Sequence, residues 1–236
     1  MLLSSFSSNL CFTCDSITMR SLILVCICLS LVLNAWAQKP RPCASPPLLS
    51  GTLTMVNNGT VLTNARFTYD SIGQKVRSRS FSINSNGTST ADLLLLFKEG
   101  YYYEILWDRL SCKKRRLDST FHPMQIPSDA DFMAQMILGS SSGAGMGLLV
   151  SSWNGTIPES RKSQYIASWV DVGCLPLNMQ VFNPDGWFAI SMYNILLGIQ
   201  DPMDFVPPFF CDREVAQESA EAGNFISALQ SLAKKL

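Results

Sequence analysis

The sequence is short of charge and of histidine. Only 15% of its 236 residues are charged, 18 basic residues balance 18 acidic ones, and His122 is the one histidine. Domains that bind nucleic acid usually carry a basic excess, so the zero net charge argues against that class of function. The one basic cluster, Lys113–Arg116, is short enough to be a solvated strand edge. A single histidine also argues against a zinc site that needs several histidine ligands.

Long apolar runs are scarce as well. One uncharged run spans residues 21–33, with Arg20 before it and the small-residue pattern Ala35–Ala37 after it. This order is typical of a secretory signal peptide, and we expect one in residues 1–37, cleaved after Ala37. A membrane anchor is the alternative, but a spanning helix needs about 20 apolar residues. Residues upstream of Met19 do not fit the signal pattern, so the choice between Met1 and Met19 as the start stays open.

The cysteines divide evenly between this leader and the processed chain. The processed chain keeps four of the eight: Cys43, Cys112, Cys174 and Cys211. An even number in an exported protein indicates disulfide bonds, and four cysteines allow three pairings among which the sequence does not choose. A zinc site is the alternative, and it is disfavoured because none of the four has Cys-x-x-Cys spacing.

Three Asn-Gly-Thr motifs begin at Asn58, Asn86 and Asn154. Each is an acceptor pattern for N-glycosylation, and each has a glycine in the middle, which suits a turn. Three such motifs in an exported chain predict a glycoprotein with its glycans on surface turns.

Most of the processed chain has the pattern of short β-strands. Apolar and polar residues alternate in stretches such as Leu53–Met55 and Phe67–Tyr69, and Asn-Gly and Asn-Pro-Asp-Gly turns separate the stretches. The sequence therefore predicts a mainly β domain over residues 38–214. An amphipathic helix is predicted over residues 215–236, where four apolar residues share one helical face: Phe225, Leu229, Leu232 and Leu236. We expect it to brace the sheet.

A central helix is predicted after Ser128–Asp131, which has the pattern of a helix start. Apolar residues follow at helical spacing: Phe132, Met133, Met136 and Ile137. Gly139 can end the helix. Because methionine adapts to varied shapes, we expect Phe132, Met133 and Met136 to gate the mouth of an apolar ligand pocket. Ordinary core packing is the alternative for each of them.

Several ordered motifs between residues 40 and 212 resemble those of the ependymin family. They are Cys43–Gly51, Phe67–Asp70, Phe97–Gly100 with Tyr103–Ile105, Ser111–Lys114, Trp153–Gly155, Gly173–Pro176, and Phe205–Pro208 with Cys211. The resemblance implies two antiparallel sheets in a half-open barrel around a hydrophobic pocket, similar to bacterial lipoprotein carriers.

The resemblance also implies a secreted, dimeric glycoprotein linked to calcium binding and cell–matrix contact. It implies the disulfide bonds Cys43–Cys174 and Cys112–Cys211. Other members have Cys-Gly-Cys where this chain has Val172–Cys174, so we expect the homodimer to be non-covalent.

Catalysis has weak support. Gly139-x-Ser141-x-Gly143 matches the letters of a nucleophile elbow, which needs a strand before it, a helix after it and a later histidine. Here a predicted helix precedes the motif and His122 lies upstream of it. We therefore expect no enzymatic activity, and a hydrolase ranks last among the functions considered.

Calcium is the one metal that the resemblance suggests, but the sequence identifies no ligand set. There is no EF-hand loop, and a helix cap explains Asp129 with Asp131 better than a calcium site does; calcium ligands gathered from separate loops stay the alternative. No other cofactor is expected.

The expected function is that of a secreted carrier or sensor of lipids or other apolar ligands. The low charge and the supply of large apolar side chains suit a pocket of that kind. The alternative is a calcium-binding adhesion glycoprotein whose partner is the extracellular matrix. The alternative location is the lysosomal lumen.

Overall fold

The computed structural model describes residues 19–30, 40–58, 60–84, 87–117, 120–157, 160–184, 186–212 and 215. The chain divides into two compact units, residues 1–41 and 42–236. In the first unit, residues 19–30 form an exposed helix. Among the described residues, no helix has both the length and the apolar character to span a bilayer. The predicted C-terminal helix falls, apart from Val215, outside the described residues.

The described part of the second unit consists mainly of strands. Their bounds are β1 Leu48–Asn57, β2 Thr60–Asp70, β3 Lys75–Asn84, β4 Gly87–Leu96, β5 Tyr101–Leu106, β6 Ser111–Arg116, β7 Asp131–Gly139, β8 Gly147–Ile157, β9 Ser160–Val170, β10 Leu175–Asn183 and β11 Gly186–Leu197. Two short 3-10 helices follow, Pro202–Phe205 and Phe209–Cys211. The prediction of a mainly β domain is confirmed.

All eleven strands belong to one antiparallel sheet, in the order β6-β5-β4-β3-β2-β1-β11-β10-β9-β8-β7. β1 pairs with β11 from Leu49 opposite Leu197 to Asn57 opposite Phe188. This ladder joins the strand series β1–β6 to the series β7–β11, so the prediction of two separate sheets is wrong. β6 and β7 are the two ends of the sheet and do not pair with each other, which leaves the sheet open.

The predicted central helix is also wrong, because residues 131–139 form strand β7. β7 pairs with β8, from Asp131 opposite Asn154 to Gly139 opposite Gly147, and the two strands form a hairpin. The apolar run after Phe132 fits a helical spacing and a strand equally well over so short a length. Pairing with a neighbouring strand then decides the outcome, since hydrogen bonds along a hairpin outweigh a weak helix preference.

One face of the sheet, called here the inner face, carries the larger buried cluster. That cluster contains Leu93 and Tyr102 from β4 and β5, and Trp153 and Trp169 from β8 and β9. Strands near both ends of the sheet therefore contribute to one core, so the sheet must curve towards its inner face. Alternation along each strand sends every second side chain to this face.

The connection between β6 and β7 packs against the inner face. Leu117 and Ile126 are buried in the same cluster, and Phe121 packs against it. The Met124 backbone N–H donates to the Tyr69 hydroxyl at 2.9 Å. A crossing segment anchored in this way fills part of the concave side, next to Tyr69.

The outer face holds a second cluster beneath the segment that follows β11. Phe205 and Cys211 from that segment pack with residues of β4–β6: Leu94, Leu96, Tyr103, Ile105 and Cys112. The segment therefore runs from the last strand of the second series back onto the first series.

A buried ion pair fixes this segment in place. The Arg77 guanidinium donates to both oxygens of Asp92, at 2.8 and 2.6 Å, and the two side chains are 3% and 1% exposed. Arg77 also donates to the Asp204 carbonyl oxygen at 2.6 Å. The Asp204 carboxylate accepts from Thr68 at 2.9 Å and pairs with Arg79 at 2.7 Å. Because both charges of the central pair are satisfied on several sides, their removal from water is offset.

Two disulfide bonds join Cys43 to Cys174 and Cys112 to Cys211, across 131 and 99 residues of sequence. These are the two pairs that the family resemblance implies. Each bond links the β1–β6 part of the chain to the part that contains or follows β7–β11.

We predict that Asp92→Asn destabilises the fold by about 3–5 kcal/mol, because it leaves the Arg77 charge buried without its counter-charge. Asp108→Asn is the matched control, since Asp108 is 41% exposed and its contact with Arg109 is also exposed; we expect it to change stability by less than about 0.5 kcal/mol. Denaturant unfolding of the processed protein measures both. Equal losses of stability in the two variants would contradict the stabilising role of the buried Arg77–Asp92 ion pair.

Removing the Cys112–Cys211 bond by the double change Cys112→Ser and Cys211→Ser should lower stability by about 2–5 kcal/mol, since a long loop is freed in the unfolded chain. The comparison is made by thermal unfolding under non-reducing conditions. Mass analysis of the alkylated parent protein serves as the control. Four alkylated thiols in the processed parent would contradict the bonding itself.

Candidate functional site

A row of side chains crosses the inner face from β7 to β11. Its members are successive register partners: Phe132, Trp153, Ala167, Met179 and Ile190. Trp153, Ala167 and Ile190 are buried in the inner cluster. Phe132 and Met179 are half-buried and pack against it. The row therefore combines buried core positions with half-buried apolar positions on one face of the sheet.

More apolar side chains of the same face remain partly open. Met192 and Ile195 of β11 are half-buried against the core. Ile137 and Leu149, which face each other across β7 and β8, are 48% and 41% exposed. We call the following six residues the apolar rim: Phe132, Ile137, Leu149, Met179, Met192 and Ile195. An open apolar band that continues a buried core can take up apolar ligands.

The three predicted pocket residues do not share one face. Phe132 lies on the inner face, with its ring edge-on to Trp153 at a centroid distance of 5.4 Å. Met133 is the extra residue of a bulge between the pairs Phe132–Trp153 and Ala134–Ser152. Met136 pairs with Val150, out of phase with Phe132, and so lies on the outer face. Of the three, only Phe132 belongs to the rim.

The sequence prediction assigned the pocket residues to the predicted central helix, so it did not include Met179 of β10 or Met192 and Ile195 of β11. The period-two pattern of β11, in which Phe188, Ile190 and Met192 alternate with other residues, could have placed Met192 on a buried face. No pattern in the sequence shows which buried-face positions stay open, since that depends on the curvature of the sheet.

Two of the three glycosylation motifs can be located. Asn58 is exposed in the turn after β1, and its side-chain oxygen accepts from the Trp187 backbone N–H at 2.9 Å. A φ of 46° places Asn58 in the left-handed region, which asparagine tolerates better than most residues. Asn86 lies outside the described residues.

Asn154 departs from the expectation of a turn, because it lies within β8 and is half-buried. The glycine of this motif has a packing role. A Cβ at Gly155 would stand 2.6 Å from the Tyr165 hydroxyl oxygen, so a larger residue would clash with that ring. Local sequence signals a turn here, but the neighbouring tyrosine explains the glycine.

The predicted acidic residues lie near one tyrosine. Burial raises the pKa of Tyr165, and the negative charges of Asp129 and Asp131 raise it further. Asp129 stands in the turn before β7 and Asp131 begins the strand. Across the described residues, three or more His, Cys, Asp or Glu side chains nowhere gather as a metal site would require. Because β7 begins at Asp131, the preferred interpretation of Asp129 and Asp131 as a helix cap is wrong, and calcium binding by the protein stays a prediction without assigned ligands.

The nucleophile-elbow pattern, Gly139-x-Ser141-x-Gly143, begins at the last residue of β7 and continues in the loop before β8. Ser141 is exposed there. A strand precedes it, as the motif requires, but β8 follows where an elbow needs a helix. His122 lies in the connection between β6 and β7, where its ring nitrogen lies 3.2 Å from the Thr120 hydroxyl.

The two end strands of the sheet differ in character. β6 carries Lys113–Arg116, and such charge protects an edge from pairing with another chain. β7 has no charged residue after Asp131, and several of its side chains are exposed and apolar: Met133, Met136, Ile137 and Leu138. The β7 edge is therefore the one suited to pairing.

Tyr165 makes the fold sensitive to alkaline pH. Well below pH 10.0, the ordinary pKa of a tyrosine side chain, its phenol is protonated in both folded and unfolded chains and contributes no pH dependence. Above that pH the unfolded chain releases the proton while the folded chain retains it, so stability falls as pH rises. Tyr165→Phe keeps the ring, and we expect it to lose less stability than the parent between about pH 9 and pH 11. Denaturant midpoints across this range test it; parallel curves would contradict it.

Comparison with known proteins agrees with the residues that carry the resemblance. The family profile described as Ependymin matches residues 85–211. Ependymin-2 of Carassius auratus is 36% identical over 210 residues, which cover 88% of this chain and 96% of that protein. The ependymin of Notemigonus crysoleucas is 36% identical with the same coverage.

Likeness to solved structures is weaker. LprF from Mycobacterium bovis aligns with a TM-score of 0.39 and 12% identity, over 66% of this chain and 89% of its own. A likeness at this level carries no argument about function. The sequence matches to the ependymins are much stronger, since they have 36% identity and extend over most of both chains. By its sequence, this chain belongs to the ependymin family.

Proposed function

We propose that the processed protein is secreted and binds lipids or other apolar ligands on the inner face of its sheet, as a carrier or sensor. The observation that carries this proposal is the apolar rim, a set of partly open apolar side chains on the inner face, four of which pack against the inner core. Apolar surface left open beside a core is costly in water, and covering it with an apolar ligand is favourable.

The openness of the sheet supports the same function. Because β6 and β7 do not pair, the two ends of the sheet can separate slightly without breaking a hydrogen-bonded ladder. The connection between β6 and β7, which packs against the inner face, and the two disulfide bonds resist this movement. A carrier needs a stable sheet and also an opening through which a ligand can enter and leave.

The leader and the glycosylation motifs support secretion, and the two bonded cysteine pairs suit an oxidising compartment. Calcium-dependent adhesion to the extracellular matrix is the competing proposal, and delivery to the lysosomal lumen is the competing destination. We further propose a non-covalent homodimer, in which the β7 edges of two copies, uncharged after Asp131, pair with each other.

The first test uses the processed, glycosylated protein, purified from a secreting cell culture without detergent. Native mass spectrometry should show bound lipid in addition to the protein mass, and the same spectrum reports whether a dimer is present. Calcium titration followed by binding to immobilised matrix protein is the parallel arm. Absence of lipid together with calcium-dependent matrix binding would favour the adhesive function.

A charge placed on the apolar rim should weaken binding of a neutral apolar probe. We expect Met179→Asp to reduce the affinity for N-phenylnaphthylamine more than about tenfold, because the carboxylate would have to be covered without a partner. Met136→Asp is the matched control, since Met136 is 48% exposed on the outer face. Probe fluorescence measures both. The same loss in both variants, or in neither, would contradict binding at the rim.

A further inference from the structure

On the inner-face side of β8 and β9, three polar groups have no hydrogen-bond partner among the described residues. They are Ser151 Oγ, Trp153 Nε1 and Trp169 Nε1. Their residues are 2%, 2% and 8% exposed. Buried polar groups in folded proteins are nearly always paired, so three neighbouring exceptions require an explanation.

The register brings these three groups together. Ser151 of β8 stands directly opposite Trp169 of β9, and Trp153 lies two positions along β8 on the same face. Directly opposed side chains in an antiparallel pair are in contact, and diagonal neighbours are within reach of large aromatic side chains. The three residues therefore form one cluster on the inner face, in which Trp153 also belongs to the apolar row through Phe132 and Met179.

All three groups can donate a hydrogen bond. The two indole nitrogens can only donate, and the serine hydroxyl can do so as well. A single ligand oxygen with two lone pairs could accept two of these hydrogen bonds, and the two oxygens of one ester could accept all three. The cluster thus has the chemistry of a site for a hydrogen-bond acceptor at the end of an apolar molecule.

The charge around the cluster decides what kind of acceptor fits. Among the inner-face positions of β7–β11 whose side chains the structure describes, none is a lysine, an arginine or a histidine. Asp171, which continues the face of Trp169, accepts a hydrogen bond from Gln135. A buried carboxylate or phosphate would meet no counter-charge here and would lie near an acid, whereas a neutral carbonyl or hydroxyl oxygen would be satisfied.

We propose that Ser151, Trp153 and Trp169 form a polar subsite for the neutral oxygen of an amphiphile, such as an ester carbonyl or an alcohol, whose chain lies along the apolar rim. This inference rests on the proposed function and adds the class of head group that the site selects.

Access to the subsite runs past Phe132. The Phe132 ring packs against Trp153 and is itself half-buried, on a strand with a neighbour on one side only. An end strand is held by one ladder of hydrogen bonds and so opens more easily than a central one. A ligand that displaces the Phe132 ring would reach the two indoles from the rim.

Three ten-carbon probes differ only in their head groups: methyl decanoate, decanol and decanoate. Each is tested for displacement of N-phenylnaphthylamine from the processed protein at neutral pH. We expect the ester and the alcohol to bind at least about tenfold more tightly than the carboxylate, because the carboxylate would be buried without a counter-charge.

Substitutions then locate the donors. Ser151→Ala and Trp153→Phe each remove one donor and keep most of the side chain, and each should weaken the binding of methyl decanoate by about threefold to tenfold. Ser151→Ala should not alter the affinity for the probe itself, which has no acceptor oxygen, by more than about twofold. Trp187→Phe is the matched control, since Trp187 lies on the outer face with 37% exposure; it should change neither affinity.

The outcomes separate the subsite from the proposed function. Binding of all three probes with equal affinity, unchanged by Ser151→Ala, would overturn the subsite and leave apolar binding intact. Failure of N-phenylnaphthylamine and all three probes to bind would overturn both. If Trp153→Phe unfolds, as circular dichroism would show, the near-isosteric Ser151→Ala still decides the result.

Discussion

The ladder between β1 and β11 is the constraint on which the rest of the structure depends. Every other neighbouring pair in the sheet is consecutive in sequence, so each of the series β1–β6 and β7–β11 is a simple meander. Only this ladder, from Leu49–Leu197 to Asn57–Phe188, makes them one sheet. Without it neither series would have a partner for the apolar side chains of its inner face, because the buried cluster draws on both.

Three further connections hold the same two series together. The Cys43–Cys174 bond ties the start of the first series to the second, and the Cys112–Cys211 bond ties β6 to the segment after β11. The buried pair Arg77–Asp92 holds that segment through the Asp204 carbonyl oxygen. Joining residues so far apart in sequence carries a substantial loop-closure entropy cost. Disulfide bonds lower this cost because they already restrict the unfolded chain. The covalent and ionic connections therefore occur between parts of the chain that are far apart in sequence.

The proposed ligand face lies where these connections are fewest. β7 is held by β8 alone, and the rim residues Phe132 and Ile137 are on it. The first series, in contrast, is covered on its outer face by the segment that follows β11. A molecule built with one braced side and one looser side can keep its fold while part of its apolar face opens. The unpaired donors at Ser151, Trp153 and Trp169 lie on β8 and β9, next to the end strand β7.

Sequence reasoning succeeded where local patterns are decisive. Period-two alternation and Asn-Gly turns located most strands, since the side chains of a strand must alternate between faces whatever the partner strand is. It failed at residues 131–139, where Phe132, Met133, Met136 and Ile137 satisfy a helical period within a strand. It failed also at Asn154, where the glycine after the asparagine marks contact with Tyr165 and not a turn. In both cases a neighbouring strand, which local sequence does not reveal, determined the conformation.

The sequence by itself determined the family, the β character and the four cysteines that are bonded, because these depend on residue identity and on short-range spacing. Tertiary structure alone decided that the strands form one sheet, that Met136 faces outward while Met179 faces inward, and that Ser151, Trp153 and Trp169 are neighbours on one face of β8 and β9. These features depend on register and curvature. Both are set by pairing between residues far apart in the chain, and a single bulge at Met133 is enough to reverse which face the rest of a strand presents.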